Sequence, residues 1–191
     1  MVSVPIYTKG GKMKNLCGLM ILTGFFVGAM VSGAQQMPDG KGKMVLPDGS
    51  SYEGEIRGGK AEGRGVRISE SGGKYEGEFK NNMANGKGTY TGAEGIRYEG
   101  EYENNKAHGK GALTVPNGEK YEGEFKDGLF EGEGAYSWPN GAVYEGEFKK
   151  GKFDGEGAYT YYQPGSNEPL VKKGLWKEGN YAGEAEQGGA K

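Results

Sequence analysis

The feature that most constrains this sequence is a tandem repeat with a period of 23 residues. The string YEGE begins at five positions with that spacing: Tyr52, Tyr75, Tyr98, Tyr121 and Tyr144. Two further series keep the same register: Ile56, Phe79, Tyr102, Phe125 and Phe148, and Gly65, Gly88, Gly111, Gly134 and Gly157. A fixed period of this length is typical of arrays in which each unit packs mainly on its neighbours. The sequence therefore predicts a row of small units.

Each unit has the pattern of a β-hairpin, as the stretch YEGEFKDGLFEGEGAYSWPNG (121–141) illustrates. In its first strand Tyr121, Gly123 and Phe125 alternate with Glu122 and Glu124, which is the period of a strand. The second strand, GEGAY (132–136), alternates in the same way. Residue pairs that suit a tight turn with positive φ separate the two strands: Gly58-Gly59, Asn81-Asn82, Asn104-Asn105, Asp127-Gly128 and Lys150-Gly151. The return connections are also turn-like: Pro47-Asp48-Gly49, Pro116-Asn117-Gly118 and Pro139-Asn140-Gly141.

The alternation gives each sheet two unlike faces, one with aromatic residues and glycines and one with Glu, Lys, Thr and Ser. Hydrophobic residues make up only 34% of the chain, but it contains 40 Gly and 13 Tyr. A glycine opposite or diagonal to an aromatic residue lets the ring lie flat on the sheet. We therefore expect cross-strand aromatic packing to provide the burial that aliphatic residues provide elsewhere.

The pattern YEGEF-x5-6-GxG-x-Y-x4-NG resembles the MORN repeat (membrane occupation and recognition nexus), closely over residues 40–161 and loosely over 174–186. The resemblance implies an all-β fold, an elongated single-layer twisted antiparallel sheet with an aromatic-lined groove. It also implies a role in scaffolding, protein–protein contact or membrane-associated assembly. It does not identify a target.

The register divides the chain into segments. We expect an N-terminal half-repeat cap at 35–51 and an insertion at 162–173. A degenerate repeat with Trp176 in the place of Phe148 spans 174–186, and a flexible tail spans 187–191. The full repeats between them are 52–74, 75–97, 98–120, 121–143 and 144–161.

The first 34 residues have a different character. The run LCGLMILTGFFVGAMV (16–31) follows three lysines and precedes Ser32-Gly33-Ala34, which predicts a signal peptide cleaved after Ala34. Met13 would begin a more typical signal peptide. The alternative is a hydrophobic N-terminal helix that is retained and anchors the chain in a membrane through residues 16–34. Either way we expect an exported protein, periplasmic, in the cell envelope or secreted.

Carboxylate pairs such as Glu122 and Glu124 raise the question of catalysis. Their Cα atoms would be about 7 Å apart, a spacing that an acid/base pair or a weak Ca²⁺ site could use. Because the pair recurs in five units, a solvated charged face is the simpler interpretation. Arg64, Lys87 and Lys110 would pair with it across the hairpin, whereas Glu133 and Glu156 at the same position would leave an acidic patch.

The sequence lacks the residues that a zinc site, a catalytic thiol or a nucleotide-binding site would need. His108 is the single histidine and stands at a polar position before GxG, and Cys17 is the single cysteine. A P-loop motif is missing, and the formal net charge is −2, or −5 without residues 1–34. We therefore predict a non-enzymatic protein with no metal, no cofactor, no nucleotide and no nucleic-acid partner.

The aromatic face is the predicted partner-binding surface. A single-layer sheet cannot bury both faces, and exposed apolar stripes mark interaction sites. The expected occupant is a protein partner or a second copy of the chain, and the alternatives are a lipid surface or a glycan of the cell wall. The fourth unit is the favoured one because it adds Phe130 and Trp138. The candidate residues are Tyr52, Tyr75, Tyr98, Tyr121, Tyr144, Phe79, Tyr102, Phe125, Phe148, Tyr136 and Trp138.

Overall fold

The computed structural model describes residues 5–8, 12–15 and 39–184. The apolar run 16–31, the cleavage site at Ala34 and the tail 187–191 lie outside the described residues. Near the N-terminus, β1 (Pro5–Thr8) and β2 (Lys12–Asn15) form an antiparallel pair of their own. The predicted hydrophobic helix falls on residues that are not described. Within the described ranges, no helix has the length and apolar content needed to cross a membrane.

Within residues 39–184, all strands belong to one sheet of 13 strands in which each strand pairs antiparallel with the next one along the chain. This arrangement confirms the predicted all-β sheet of tandem hairpins. The strands are β3 (Gly40–Val45), β4 (Ser51–Arg57), β5 (Lys60–Ile68), β6 (Lys74–Lys80), β7 (Met83–Thr91), β8 (Arg97–Glu103), β9 (Lys106–Thr114), β10 (Lys120–Lys126), β11 (Leu129–Ser137), β12 (Val143–Lys149), β13 (Lys152–Tyr162), β14 (Pro169–Lys177) and β15 (Asn180–Gly183).

The turns within the hairpins have positive φ at both central residues, as their residue types predict. Asn81 and Asn82 have φ of 50° and 68°, and Asp127 and Gly128 have φ of 52° and 83°. Such turns match the right-handed twist of the flanking strands. The return connections are closed differently: Leu46 N–H donates to Ser50 O, and Gly49 N–H donates to Leu46 O, both at 2.9 Å. Each unit is thus a tight hairpin joined to the next by a looser one.

A row of glycines crosses the sheet at right angles to the strands. Each glycine of the row lies opposite the next in register, from β3 to β14. The ring of Tyr52 lies over this row, and a Cβ at Gly65 would lie 2.4 Å from it. The prediction that glycine lets the rings lie flat is therefore confirmed. The row is Gly42, Gly54, Gly65, Gly77, Gly88, Gly100, Gly111, Gly123, Gly134, Gly146, Gly157 and Gly174.

The core is an edge-to-face ladder of rings in which the YEGE tyrosines alternate with the Phe series. Tyr121, for example, contacts Phe125 of its own unit and Phe148 of the next, with ring centroids 5.1 and 4.9 Å apart. Such contacts add to the free energy gained from burying the rings. The ladder runs Tyr52, Phe79, Tyr75, Tyr102, Tyr98, Phe125, Tyr121, Phe148, Tyr144 and Trp176.

The C-terminal hairpin is longer than the others. Strand β13 runs to Tyr162 and β14 begins at Pro169, directly opposite it, so both strands extend into the segment predicted as an insertion. Trp176 lies opposite Gly155, and Phe148 lies opposite Gly132, the equivalent glycine of the preceding unit. Trp176 therefore occupies the position of the Phe series, as the sequence predicted.

Candidate functional site

The aromatic candidates lie in the core of the sheet. Ten of the eleven are between 0 and 6% exposed, and only Trp138 is partly buried. The expected accessible stripe is therefore not formed by these ten side chains, because each ring is covered by the edges of its neighbours. Partly buried rings outside the eleven candidates, among them Tyr90, Tyr159 and Trp176, pack against the same core.

The YEGE tyrosines also fix the backbone of their own strand. Tyr98 Oη donates to Glu101 O at 2.9 Å, and Tyr121 Oη donates to Glu124 O at 2.9 Å. Burial raises the pKa of Tyr52 and of Tyr75 to about 12, because the phenolate would lose its hydration. Burial raises the pKa of Tyr98 and Tyr121 as well. These hydroxyls are neutral hydrogen-bond donors of the core.

The opposite, polar face carries a second transverse row in which glutamates alternate with small or aliphatic residues. From the second unit on, the first glutamate of YEGE lies opposite Val, Thr or Ala on both neighbouring strands, so its carboxylate has no like charge directly across the ladder. The row begins at Lys43, which forms an ion pair with Glu53 at 3.0 Å. Its members are Lys43, Glu53, Val66, Glu76, Thr89, Glu99, Ala112, Glu122, Ala135, Glu145, Ala158 and Lys173.

A groove runs along the polar face above the glycine row. It consists of two recesses of 780 and 550 Å³ that share Glu99, Gly100 and Lys110 and together reach from β3 to β11. The backbone of the glycine row forms the floor, because the side-chain positions of this row face the rings on the other side of the sheet, and charged residues form the walls. We call this feature the polar groove. The sequence predicted the charged face but not the groove in it.

The charge of the polar groove changes along its length. The larger recess is lined by four basic and five acidic residues, and the smaller one by Lys110 and four glutamates. Arg64 lies opposite Glu78 of the next unit, and not across its own hairpin as predicted. The physical reason is a two-residue offset in the hairpin register between Gly54 and Ile56. In the fourth unit Glu133 lies opposite Glu147, which leaves two like charges together.

In the first and fifth units the second glutamate of YEGE has a structural task that the sequence did not reveal. At the offset, Gly63 has a φ of +60°, and a Cβ there would lie 2.4 Å from Glu55 Oε2. Arg64 N–H donates to Glu55 Oε1 at 3.1 Å, and Glu156 N–H donates to Glu147 Oε1 at 3.0 Å. These carboxylates therefore bond the backbone of the bulge. The available signal was the constant distance between YEGE and the GxG that follows it.

The polar position before GxG links successive units. Glu62 accepts a hydrogen bond from Asn81 N–H at 2.8 Å, and Glu131 accepts one from Lys150 N–H at 2.9 Å. His108 occupies the same position, and its Nδ1 lies 3.4 Å from Glu103 Oε2 at the surface. The described residues contain no cluster of three or more His, Cys, Asp or Glu side chains arranged to hold a metal ion.

Comparison with known proteins agrees with this geometry. The family model of the MORN repeat matches residues 37–51, 52–74, 75–97, 98–120, 121–143 and 144–163. A search of curated proteins finds no match. Among solved structures, the chain is similar to the TCP domain of SAS-4 from Drosophila melanogaster, solved with a proline-rich motif of Ana2. The identity is 15% and the TM-score 0.39, with 78% of this chain and 85% of that chain covered. On the six consecutive matches of the family model, the chain belongs to the MORN repeat family.

Proposed function

We propose that this chain is a non-enzymatic interaction module whose polar groove receives a segment of a partner protein rich in Lys or Arg. The observation that carries the proposal is the groove itself, open along the glycine row from β3 to β11 and lined by regularly spaced carboxylates. An active site needs a single dedicated set of groups, whereas this surface repeats one arrangement along the sheet.

The spacing of the carboxylates sets the geometry of the partner. Glu76, Glu99 and Glu122 come from every second strand, so successive carboxylates are about 10 Å apart. A polypeptide in the polyproline II conformation advances about 3.1 Å per residue with three residues per turn, so that every third side chain points to the same side and meets the next glutamate. The partner would thus carry basic residues at every third position.

The charge gradient orients this partner. Lys41, Arg64 and Lys87 line the half of the polar groove nearer β3, whereas Glu122, Glu124 and Glu133 line the other half. The most basic end of a bound segment would therefore lie over the fourth unit, which is also the unit favoured by sequence. Charge complementarity of this kind gives orientation and rapid association more than affinity.

A binding assay with a synthetic peptide tests the proposal. The probe is a labelled 20-residue peptide with Lys at every third position, compared by fluorescence anisotropy with its Glu counterpart. Replacing Glu99, Glu122 and Glu133 together by Gln should weaken binding about tenfold, at roughly 0.5 kcal/mol for each lost charge. The matched control replaces three loop glutamates outside the groove, Glu70, Glu94 and Glu168, and should leave the affinity within about twofold of wild type.

Other outcomes would point to other functions. If the peptide binds the groove variant and the loop variant with equal affinity, net charge alone determines binding, and groove binding is refuted. Concentration-dependent dimers that disappear in the groove variant would identify a second copy as the occupant. Flotation with anionic vesicles or sedimentation with peptidoglycan, without peptide binding, would favour the lipid or glycan alternative.

We further propose that the chain is exported through residues 1–34. The support is the basic, apolar and small-residue order of that segment. Sequencing of the N-terminus of the protein from fractionated cells tests this proposal. A chain beginning at Gln35 would identify a cleaved signal, an uncleaved chain in the membrane fraction would identify an anchor, and an uncleaved cytosolic chain would refute export.

A further inference from the structure

A separate recess of 260 Å³ lies on the aromatic face of the sheet, away from the polar groove. It is lined by Tyr75, Tyr90 and Tyr102 together with Arg67 and Asn105. In a face built from rings, two of these residues depart from the repeat pattern, and both departures add a hydrogen-bond donor.

Arg67 is the first departure. It stands where the other units have Tyr90, Leu113, Tyr136 or Tyr159, and its side chain is only 18% exposed. Its Nη1 donates to Asn105 Oδ1 at 3.0 Å, and its Cζ lies 5.8 Å from the ring centroid of Tyr75. Among the described residues, Asn105 is the one hydrogen-bond partner of the Arg67 side chain, although the guanidinium has five N–H donors.

Asp48 does not neutralise this arginine fully. Its carboxylate Oδ2 is 3.8 Å from Arg67 Nη1 and approaches from the solvent side, since the Asp48 side chain is 59% exposed. Its other oxygen accepts a hydrogen bond from Ser50 N–H at 3.0 Å. The guanidinium is therefore left with donors for a further acceptor.

Tyr102 is the second departure. It stands in the series of Phe79, Phe125 and Phe148, so its hydroxyl is an addition to a position that works as Phe. The residue is 6% exposed, and its hydroxyl has no hydrogen-bond partner in the described part of the chain. An unmade hydrogen bond of a buried hydroxyl costs stability, which calls for a compensating role.

We propose that this recess binds a carboxylate through the Arg67 guanidinium and the Tyr102 hydroxyl. A guanidinium binds a carboxylate through two parallel hydrogen bonds, and aromatic walls that exclude water strengthen such bonds. The volume admits a carboxylate with a short side chain attached. The site lies on the face opposite to the polar groove, so it does not depend on the function proposed above.

Three probes distinguish the sources of such a carboxylate in titrations of the full ¹⁵N-labelled chain, followed at the Arg67 Nε–H signal. N-acetyl-leucine represents a polypeptide C-terminus, N-acetyl-aspartic acid α-amide a carboxylate side chain, and acetate a small organic acid. A saturable shift with any of them supports the site, and the tightest probe identifies the source. N-acetyl-leucinamide, which lacks the charge, should produce no shift. Absence of a saturable shift with all three acids at millimolar concentration would overturn the proposal.

Variants separate binding from folding. Arg67→Gln should abolish the saturable binding, read from backbone amide signals, whereas Arg57→Gln at an exposed position of β4 should not change it. Tyr102→Phe should weaken binding about fivefold while leaving the melting temperature equal or higher, because it removes the unpaired hydroxyl. Unchanged binding in Arg67→Gln or in Tyr102→Phe would refute the assigned roles.

Discussion

The phenol ring of Tyr98 occupies the space that a side chain at Gly111 would need. A Cβ at Gly111 would lie 2.5 Å from Tyr98 Oη, a distance that real Cβ contacts do not reach. The same relationship joins each YEGE tyrosine to the glycine across its hairpin. Glycine at these positions therefore serves packing, which explains why a residue unfavourable in strands recurs at a fixed period.

We predict that Gly111→Ala destabilises the chain by about 2 kcal/mol, because the ring must move and its contacts with neighbouring rings are lost. The measurement is the free energy of unfolding from urea denaturation. Gly92→Ala is the matched control, since its nearest neighbours would lie at an ordinary 3.5 Å. A Gly111→Ala variant as stable as the control would mean that the ring does not depend on the glycine.

Asn82 should show two separable contributions to stability. It has a φ of 68°, and its Oδ1 accepts a hydrogen bond from Ala61 N–H of the preceding unit at 2.7 Å. Asn82→Gly keeps the backbone conformation and loses that bond, at a cost of about 1 kcal/mol. Asn82→Ala loses both and should cost about 2 kcal/mol, since a left-handed residue other than glycine is strained. Equal melting temperatures for the two variants would contradict this separation.

The buried tyrosines predict a loss of stability at alkaline pH. The pKa of Tyr52 and Tyr75 is raised to about 12 in the folded chain, against about 10 in an unfolded one. Because the unfolded chain releases these protons first, their contribution is complete below pH 10 and is lost as the pH rises towards 12. Urea midpoints between pH 8 and 11.5 should fall above pH 10.

Replacing both tyrosines by Phe provides the control for this experiment. The double variant should start less stable at pH 8, because two hydroxyl bonds to Glu55 O and Glu78 O are lost. Its midpoints should then decline less steeply above pH 10. A decline as steep as in the wild-type chain would show that other groups cause it.

The fold was largely predictable from sequence because the signals that specify each hairpin lie within one repeat unit. The alternation in YEGEF, the turn pairs with positive φ and the glycines beside the rings all act within or between adjacent strands, where sequence spacing determines contact. The hairpin register was not predictable. The extra residues opposite Glu55 take Arg64 out of register with the other strand of its own hairpin, so that Glu78 of the next unit is the residue opposite it.

The candidate site was predicted on the less accessible face. Sequence identifies which residues share a face of a strand, but not how completely neighbouring strands cover them. Tyr144, for instance, is 0% exposed because rings from its own unit and from Trp176 surround it. The polar groove escaped prediction for a related reason, since its floor consists of backbone that no side chain marks.

Phe130 offers a test of why the later units differ from the earlier ones. It replaces the alanine found at Ala61, Ala84 and Ala107, and it stacks on Tyr121 with ring centroids 3.7 Å apart. Although the earlier units fold with alanine here, we expect Phe130→Ala to cost about 3 kcal/mol, since a fully buried ring leaves a cavity beside Tyr121.

Leu129→Ala, at the less buried neighbouring position, serves as its control and should cost about 1 kcal/mol in the same urea titration. The fourth unit could instead close around the smaller side chain, as the earlier units do around their alanines. Phe130→Ala would then lower the free energy of unfolding no more than Leu129→Ala does. That result would refute a packing role for the added ring.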